Sequence, residues 1–265
     1  MILKLNKDQI IKLTYNLTCK CYSFVTTLIE NFFIRKNLPS ADFAKSGFFQ
    51  YKTKDFKLEI VFNKNAKKTN KYLKNISLKE EEVFELIKKL FNHELREYIT
   101  LKTGFCFSID FYIFYSRLPI NKKDLNVSTL KQWYSYKWHF DKPNSQNMLK
   151  IIFPINIESE QSALKIISKD KSREPFEKNN SYINFLGKSD VIWGFYPNVC
   201  YHKDGIPTAG EASQIMFQLN PHPKWVINKS IHTRSKLKLN QKLEIWTPEP
   251  KFPFFSYFKD RKIPI

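Results

Sequence analysis

The sequence predicts a mainly β protein of the sandwich or jelly-roll type, with helices at its N-terminal end. Helix-like apolar spacing is confined to the first third of the chain, and after Gly104 short strand-like runs follow one another, separated by turns rich in Pro, Asn and Gly. A βαβ sheet would alternate strands with helices. The 265 residues can form one substantial core. We expect a single domain: a mixed, largely helical part (1–104), a jelly-roll core (105–225) and a C-terminal extension (226–265).

The helical part contains two candidate helices. Residues 8–37 have a helix-like spread of apolar positions, although their β-branched residues weaken the pattern. Residues 76–104 form the clearer pattern, with Ser77 as a candidate cap, acidic residues in the first turns and Gly104 after the end. The apolar residues of this second segment recur every three or four positions, as one buried face requires: Val83, Leu86, Ile87, Leu90, Phe91 and Leu95.

The candidate strands begin with a run dense in aromatic and β-branched residues, 105–119, which is typical of a buried strand. Further runs of this kind follow at 132–140, 147–156, 162–168, 181–186, 190–196, 198–203 and 212–221. Turn signals such as "DKPNSQN", "GKSD" and "DGIPTAGE" separate them. The aromatic and Pro-rich C-terminal segment, 246–265, is predicted to dock on the body as a lid or dimer contact rather than as a regular element.

The net charge of +19 admits a nucleic-acid or anionic-surface partner, because lysine attracts phosphate at long range. The lysines are spread along the chain among Asp and Glu, and they greatly outnumber arginine. A dedicated nucleic-acid groove would want clustered Arg and a recognisable binding module. We therefore favour a solvated basic surface that is compatible with an anionic small-molecule substrate, and keep nucleic-acid binding as a rival.

Cysteine usage and hydropathy indicate the compartment. No stretch of about 18 uncharged apolar residues occurs, which predicts no membrane span. The apolar run 21–34 is interrupted by Glu30 and lacks a small-residue cleavage site, which argues against a signal peptide. The four cysteines are too few for a disulfide framework and do not form paired C-x-x-C knuckles. The chain is predicted to be soluble and cytoplasmic, with reduced thiols.

A candidate metal site begins at His139 and Asp141, which stand two positions apart. In a strand both side chains would leave the same face. His202 and Asp204 form a second H-x-D pair, with His222 and His232 as the histidines downstream of it. The 63 residues from His139 to His202 hold about four candidate strands, enough to return His202 to the first pair, whereas little β structure follows the second pair. We therefore prefer His139, Asp141 and His202 as the metal ligands.

Two imidazoles and one carboxylate on one face leave open positions on an octahedral ion, as in Fe(II) enzymes that bind a cosubstrate and O2. A closed zinc site would want four protein ligands, preferably with thiolates. Cys200 is a possible fourth ligand, but a packed thiol is the simpler role. The competing interpretation is that these are ordinary histidines of a β-sandwich, satisfied by hydrogen bonds.

Four segments carry a resemblance to a known family: "WHFDKPNSQNMLKIIFPIN", "QSALKIISKDKS", "KSDVIWGFYPNVCYHKDGIP" and "GEASQIMFQLNP". They resemble the phytanoyl-CoA dioxygenase-like branch of the Fe(II)/2-oxoglutarate-dependent oxygenases, in which W-H-x-D precedes an apolar strand and a distal His follows G-D-x-x-x-F. The resemblance covers roughly residues 130–222. It implies a double-stranded β-helix (jelly-roll, cupin-like) core, with His139, Asp141 and His202 as iron ligands. It also implies oxidative decarboxylation of 2-oxoglutarate coupled to hydroxylation of a C–H bond by O2.

The chain departs from that family where the far carboxylate of 2-oxoglutarate would bind. Members carry an Arg about nine to twelve residues after the distal His, a position suited to a bidentate ion pair. Here the window reads Glu211, Ala212, Ser213 and Gln214. Three interpretations remain: a lysine from another strand replaces the Arg, iron acts with another acid or none, or catalysis has been lost. The candidate cosubstrate residues are Lys165, which we favour slightly, Lys150, Ser213 and Gln214.

Aromatic residues near the motif are candidates for a substrate pocket, although packing is the commoner role of such side chains. They are Tyr136, Trp138, Trp193 and Tyr201. We therefore expect an Fe(II)/2-oxoglutarate-dependent dioxygenase that hydroxylates a small, anionic or metabolite-like substrate. A cupin-like metalloenzyme that does not use 2-oxoglutarate, or a basic nucleic-acid-binding β protein, is the alternative.

Overall fold

The structure is a computed structural model that describes residues 7–53, 66–70, 72–76, 78–121, 136–141, 144–172, 181–233 and 262–265. Its helices are α1 (Lys7–Phe33), α2 (Ala41–Ser46), α3 (Glu80–Leu90) and α4 (His93–Thr103). Its strands are β1 (Phe48–Lys52), β2 (Ala66–Asn70), β3 (Leu73–Ile76), β4 (Cys106–Arg117), β5 (Leu149–Asn156), β6 (Leu164–Ile166), β7 (Ile183–Phe185), β8 (Val191–Phe195), β9 (His202–Lys203), β10 (Ala212–His222), β11 (Val226–Thr233) and β12 (Lys262–Pro264). The chain is mostly β with few helices, as predicted.

The strands form two sheets. The larger sheet has the order β1-β8-β5-β10-β4-β11-β12, with β3 bonded to β4 and β2 to β3. Every pairing in it is antiparallel except that of β11 with β4. The smaller sheet has the order β7-β6-β9 and is antiparallel. This two-sheet arrangement is consistent with the predicted jelly-roll-like fold.

The two faces of the larger sheet bury different partners, because successive side chains of a strand leave opposite faces. One face packs with the helices, so that Ile151, Phe153 and Phe217 share a cluster with Val83 and Ile87. The other face packs against the smaller sheet. This second cluster contains Ile152, Trp193 and Phe195 from the larger sheet and Leu164, Ile166 and Phe185 from the smaller one. The candidate site lies beside this second cluster.

The predicted helix 76–104 is two helices. Residue Phe91 ends the intrahelical bonding of α3, and the side chain of Asn92 accepts a hydrogen bond from the Leu95 backbone N–H (2.9 Å), which makes Asn92 the N-cap of α4. An Asn favours such a cap over a place inside a helix. Gly104 ends α4 as predicted, with a left-handed φ of 81°. A Cβ at Gly104 would lie 2.0 Å from the Asn37 carbonyl oxygen, so a larger residue would overlap the backbone.

Two segments differ from the predictions or fall partly outside the described residues. The predicted strand 132–140 begins in the undescribed part, and residues 136–141 form no strand but contain an isolated bridge at His139. Within the predicted C-terminal extension, β11 and β12 pair with each other, while 234–261 lie outside the described residues. None of the helices in the described part of the chain has the length and apolar character needed to cross a bilayer.

Candidate metal centre

The structure brings His139, Asp141 and His202 together. His202 begins β9 in the smaller sheet, and His139 forms an antiparallel bridge with it: the His139 N–H donates to the His202 carbonyl (2.9 Å), and the His202 N–H donates to the His139 carbonyl (3.1 Å). The Asp141 N–H donates to the Pro197 carbonyl (3.0 Å). One potential ligand atom from each of the three side chains lies within 4.8 Å of the others. The backbone, rather than the side chains, thus sets the spacing of the triad.

Backbone carbonyls orient both imidazoles. His139 Nδ1 lies 2.7 Å from the Lys137 carbonyl oxygen, and His202 Nδ1 lies 3.0 Å from that of Cys200. A carbonyl can only accept, so Nδ1 carries the proton in each ring and the Nε2 lone pair is directed elsewhere. This is the arrangement by which outer partners prepare a histidine to bind a metal through Nε2.

The clearest indication that the triad binds an ion comes from His202 Nε2. The His202 side chain is buried, and its Nε2 has no hydrogen-bond partner. The nearest acidic atom, Asp141 Oδ1, is 3.6 Å away, and the same oxygen is 3.5 Å from His139 Nε2. A buried acceptor without a hydrogen bond costs stability. A divalent ion between the three groups would satisfy His202 Nε2 and would bind the carboxylate as well.

The charges around the triad favour the protonation states that a metal needs at Asp141 and His202, but not at His139. Burial opposes ionisation of Asp141, but the Lys150 ammonium and the two imidazoles hold the pKa of that carboxyl well below its usual range. Burial lowers the pKa of His202, which keeps that imidazole neutral. Burial also opposes protonation of His139, but Asp141 and the Lys137 carbonyl outweigh it and raise the pKa of His139. At this ring a metal ion would compete with a proton for Nε2.

The donor set fits a ferrous ion. Two imidazole nitrogens and one carboxylate are the ligands of the facial triad of non-haem Fe(II) oxygenases, and they leave coordination positions for other ligands. Thiolates are absent from this group of side chains, whereas structural zinc sites usually have four ligands that include them. The three residues could therefore hold an iron ion, with the far side of the ion left for small molecules.

The two candidate lysines lie in different environments. Lys150 on β5 places its Nζ against Asp141 Oδ2, so its ammonium lies at the metal centre. Lys165 alternates with the buried Leu164 and Ile166 on β6, and its Nζ lies 4.8 Å from the centre of the Tyr182 ring. The side chain of Lys165 therefore leaves the face of β6 opposite to the one that packs between the sheets.

The polar residues at the start of β10 form hydrogen bonds or ion pairs with neighbouring side chains. The hydroxyls of Ser213 and Ser116 are 2.6 Å apart. Gln214 is buried and donates through Nε2 to the Tyr115 hydroxyl (2.6 Å). Glu211 forms an ion pair with Lys74 (3.0 Å). The carboxylate of Glu211 is thus already paired with the ammonium of a lysine on β3.

Sequence reasoning missed Arg117, the last residue of β4. Its side chain is fully buried; Nη1 donates to the Gly205 carbonyl (3.0 Å) and Nη2 to Gln214 Oε1 (3.2 Å), and Nε has no hydrogen-bond partner. Arg117 pairs in register with Ala212 on β10, the strand on which the family places its Arg. The candidates predicted from the sequence were Lys165, Lys150, Ser213 and Gln214, and Arg117 was not among them. The sequence did contain an indication of this role, because an Arg at the end of a continuous buried strand needs hydrogen-bond partners inside the protein.

The four candidate pocket aromatics lie in three different groups of contacts. Trp138 and Tyr201 are stacked on each other, with ring centroids 5.7 Å apart. Trp193 lies between the sheets, stacked on Phe185 (4.2 Å), and donates from Nε1 to the Leu186 carbonyl. Tyr136 packs against the cluster of Tyr72 and Ile120. Packing accounts for these contacts, and Trp138 with Tyr201 remains the pair nearest in sequence to the metal-ligand candidates.

Cys200 is a packed thiol. Its Sγ lies 3.6 Å and 3.5 Å from the carbonyl oxygens of Ser46 and Gly47, and burial raises the pKa of the thiol to about 12. A protonated, buried thiol is a poor metal ligand. Cys200 contributes to the site through its backbone, because its carbonyl accepts the His202 Nδ1 proton.

Comparison with known proteins gives structural likeness only. No protein-family profile matches the chain, and no curated protein matches it in sequence. HygX from Streptomyces hygroscopicus, solved with nickel and 2-oxoglutarate bound, aligns at 9% identity over 69% of this chain and 86% of HygX, with a TM-score of 0.44. The same protein with hygromycin B also bound aligns at 11% identity and a TM-score of 0.44, over 69% and 86%. EvdMO1 aligns at 12% identity and a TM-score of 0.44, over 68% of this chain and 48% of EvdMO1. At these values the likeness by itself assigns neither a family nor an activity to this chain.

Proposed function

We propose that this chain is a non-haem Fe(II) oxygenase that uses 2-oxoglutarate and O2 to hydroxylate a small, anionic or metabolite-like substrate. The observation that carries the proposal is the buried, unpaired Nε2 of His202, directed at the same place as His139 and Asp141. A ferrous ion bound there would supply oxygen activation and the oxidative decarboxylation of 2-oxoglutarate to succinate.

The strand order supports a double-stranded β-helix as the scaffold. The central strands of the larger sheet, β8-β5-β10-β4, face the smaller sheet, and the bridge at His139 extends the smaller sheet beyond β9. The ligand residues thus lie at the edge of the smaller sheet, beside the space between the two sheets. This relationship supports the phytanoyl-CoA dioxygenase-like type that the motifs suggest.

Arg117 is the residue that we propose for the far carboxylate of 2-oxoglutarate. Its guanidinium has five N–H donors. The Gly205 and Gln214 oxygens accept from two of its nitrogens, and Asp204 Oδ1 lies 3.9 Å from Nη1. The remaining donors, including the buried Nε, suit a carboxylate, for which the planar fork of Arg is the best protein partner. Gly205 follows His202 by three residues, so the Arg117 guanidinium contacts the chain close to a candidate metal ligand. Lys150, beside Asp141, would add positive charge for the other end of the dicarboxylate.

The carboxylate of Asp141 favours hydroxylation over halogenation. A halide needs a coordination position of its own, and a small residue at 141 would leave one free. Asp141 would occupy that position with an ionised oxygen whose charge Lys150 stabilises. The substrate would approach from the side of the ion that the triad leaves open.

A metalloenzyme that uses the same triad without 2-oxoglutarate is the second candidate. The observation that favours it is that Arg117 already donates to Gly205 and Gln214, so that a dicarboxylate would have to share or replace these partners. The deciding experiment measures succinate formed from 2-oxoglutarate by the purified protein loaded with Fe(II) under air. We expect succinate from the parent protein and from His93→Ala, whose imidazole is exposed on α4, but not from His202→Ala. Stoichiometric iron without any succinate would favour the second candidate.

A further inference from the structure

The long helix α1 is oriented against its own amphipathic pattern. It turns Thr26 and Glu30, both buried, toward the body of the protein. On the opposite side it leaves large apolar side chains in solvent, including Leu17 at 62%, Phe24 at 60% and Phe32 at 79% exposure. A surface helix normally buries its apolar stripe and exposes its polar one. Within the part of the chain that the structure describes, the apolar stripe of α1 is therefore left exposed.

Hydrogen bonds fix this orientation. Glu30 Oε2 accepts from the Ser145 hydroxyl (2.5 Å) and from Asn147 Nδ2 (3.0 Å), and Thr27 Oγ1 accepts from the Gln146 N–H (2.9 Å). Rotating α1 to bury its apolar side would break these bonds and leave the Glu30 carboxyl in need of new partners. The apolar side can become buried only if another surface covers it.

The exposed stripe has a symmetric spacing. Its members are Leu13, Leu17, Cys21, Phe24, Leu28 and Phe32, all exposed, and we call them the α1 seam. Steps of three or four residues keep side chains on one side of a helix. The successive steps here are 4, 4, 3, 4 and 4. The spacing of the seam residues is therefore the same when counted from either end of the helix. At 1.5 Å per residue the seam is about 28 Å long.

We propose that the α1 seam pairs with the α1 seam of a second copy of this chain, antiparallel about a two-fold axis between Cys21 and Phe24. A two-fold interface must be self-complementary. In this register Leu13 faces the partner's Phe32, Leu17 faces the partner's Leu28, and Cys21 faces the partner's Phe24. Every contact is apolar.

The size and the charge of the seam fit a protein partner. The exposed area of its side chains is on the order of 600 Å² per copy, so two copies bury about 1,200 Å², the lower bound of stable specific interfaces. A helix that lies on a lipid surface is rich in Lys and Arg beside its apolar face. The sequence of α1 has three cations, Lys7, Lys12 and Lys20, of which only Lys20 lies within the span of the seam, so a second copy fits this stripe better than a bilayer does.

The test is the molar mass of the full-length protein in solution, measured by light scattering during size exclusion and by sedimentation equilibrium. We expect a dimer for the parent chain and at least about a thirtyfold rise in the dimer dissociation constant for Phe24→Lys, as for a central aromatic anchor. Leu101→Lys is the matched control, because Leu101 is an exposed apolar residue on α4 (69%) outside the seam. This control should remain dimeric, and unchanged circular dichroism of both variants shows that the fold is retained.

A second pair of variants tests the register. Cys21→Glu and Phe24→Lys should each weaken the dimer, whereas the double variant should restore it, because residue 21 of one copy faces residue 24 of the other only in the antiparallel register. A monomeric parent chain, or a dimer that Phe24→Lys leaves unchanged, would overturn the proposal. Binding of a monomeric chain to phosphatidylserine-containing vesicles that is lost in Phe24→Lys would overturn it in favour of a lipid surface.

Discussion

His139 and His202 hydrogen-bond to each other through the backbone in both directions, with N to O distances of 2.9 and 3.1 Å. Their ring centroids consequently lie 4.4 Å apart. Since the main chain holds the two residues in register, either side chain can be removed while the bridge that positions the other remains. The metal centre can therefore be tested one ligand at a time without loss of the fold.

Removal of any one ligand is expected to abolish stoichiometric Fe(II) binding. His139→Ala, Asp141→Ala and His202→Ala each leave two protein ligands, which in halide-free buffer are too few to hold a labile divalent ion against water. Asp204→Asn is the matched control, because it changes the carboxylate of the second H-x-D pair, which lies 3.9 Å from Arg117. Metal content and calorimetric titration would measure binding, and thermal unfolding would monitor the fold. Iron retained by Asp141→Ala and lost by Asp204→Asn would assign the ligands to the second pair.

Arg117→Lys is expected to weaken 2-oxoglutarate binding while leaving iron binding unchanged. Lysine keeps the positive charge but loses the planar fork, so we expect the KM for 2-oxoglutarate to rise at least about tenfold. The control is Lys165→Met, on the opposite face of β6. Steady-state succinate formation at saturating iron would give both values. An effect of Lys165→Met with none of Arg117→Lys would identify Lys165 as the cosubstrate residue.

Asn92→Ala should destabilise the protein by about 1 kcal/mol, the usual cost of a lost N-cap. The Asn92 side chain accepts the Leu95 N–H at the start of α4, and alanine cannot replace that bond. Urea unfolding followed by circular dichroism would measure the difference. His93→Ala, at the next and exposed position, should change the free energy of unfolding by less than about 0.5 kcal/mol. Equal effects of the two substitutions would show that the cap does not contribute.

Local patterns predicted the features that depend on neighbours in sequence. The apolar spacing of residues 8–37 predicted α1, and Gly104 predicted the end of α4, because helical periodicity and a left-handed cap are local properties. The division between α3 and α4, which the structure shows at the N-cap Asn92, was not predicted. Its apolar neighbours continue the same periodicity on both sides, and periodicity alone cannot reveal a break in the chain direction.

Counting strands predicted the three candidate ligands, but the features of the site that depend on which strands pair and on which face a side chain lies could not be predicted. His139, Asp141 and His202 were chosen by counting strands, and the structure brings them together. Arg117 is 85 residues before His202 and reaches Gln214 only because β4 and β10 pair antiparallel, which the sequence does not specify. Likewise, the sequence slightly favoured Lys165 over Lys150, whereas in the structure Lys150 lies at Asp141 and Lys165 on the opposite face of β6, a difference that only the face of each strand reveals.

Glu30 is expected to make stability depend on pH. Burial raises its pKa from 4.5 to about 7, although hydrogen bonds from Ser145 and Asn147 lower it in part. Because the folded state holds this proton more tightly than the unfolded state does, the stabilisation is complete below pH 4.5 and is lost as the pH rises through about 7. At 1.36 kcal/mol per pKa unit, the loss is on the order of 3 kcal/mol.

Glu30→Gln separates this effect from all other titrations, since the amide oxygen can accept the same two hydrogen bonds without a charge. The free energy of unfolding in urea would be measured for both proteins between pH 5 and pH 8. As the pH rises, the variant should become more stable relative to the parent. Asp42→Asn is the control. The pKa of Asp42 is held at about 2 by the Lys102 ammonium, so this carboxylate stays ionised in the folded protein throughout that range, and its variant should differ from the parent by a constant amount. A constant difference for Glu30→Gln would mean that Glu30 is ionised in the folded protein throughout this range. The polar contacts that orient the α1 seam would then include a buried carboxylate rather than a carboxylic acid.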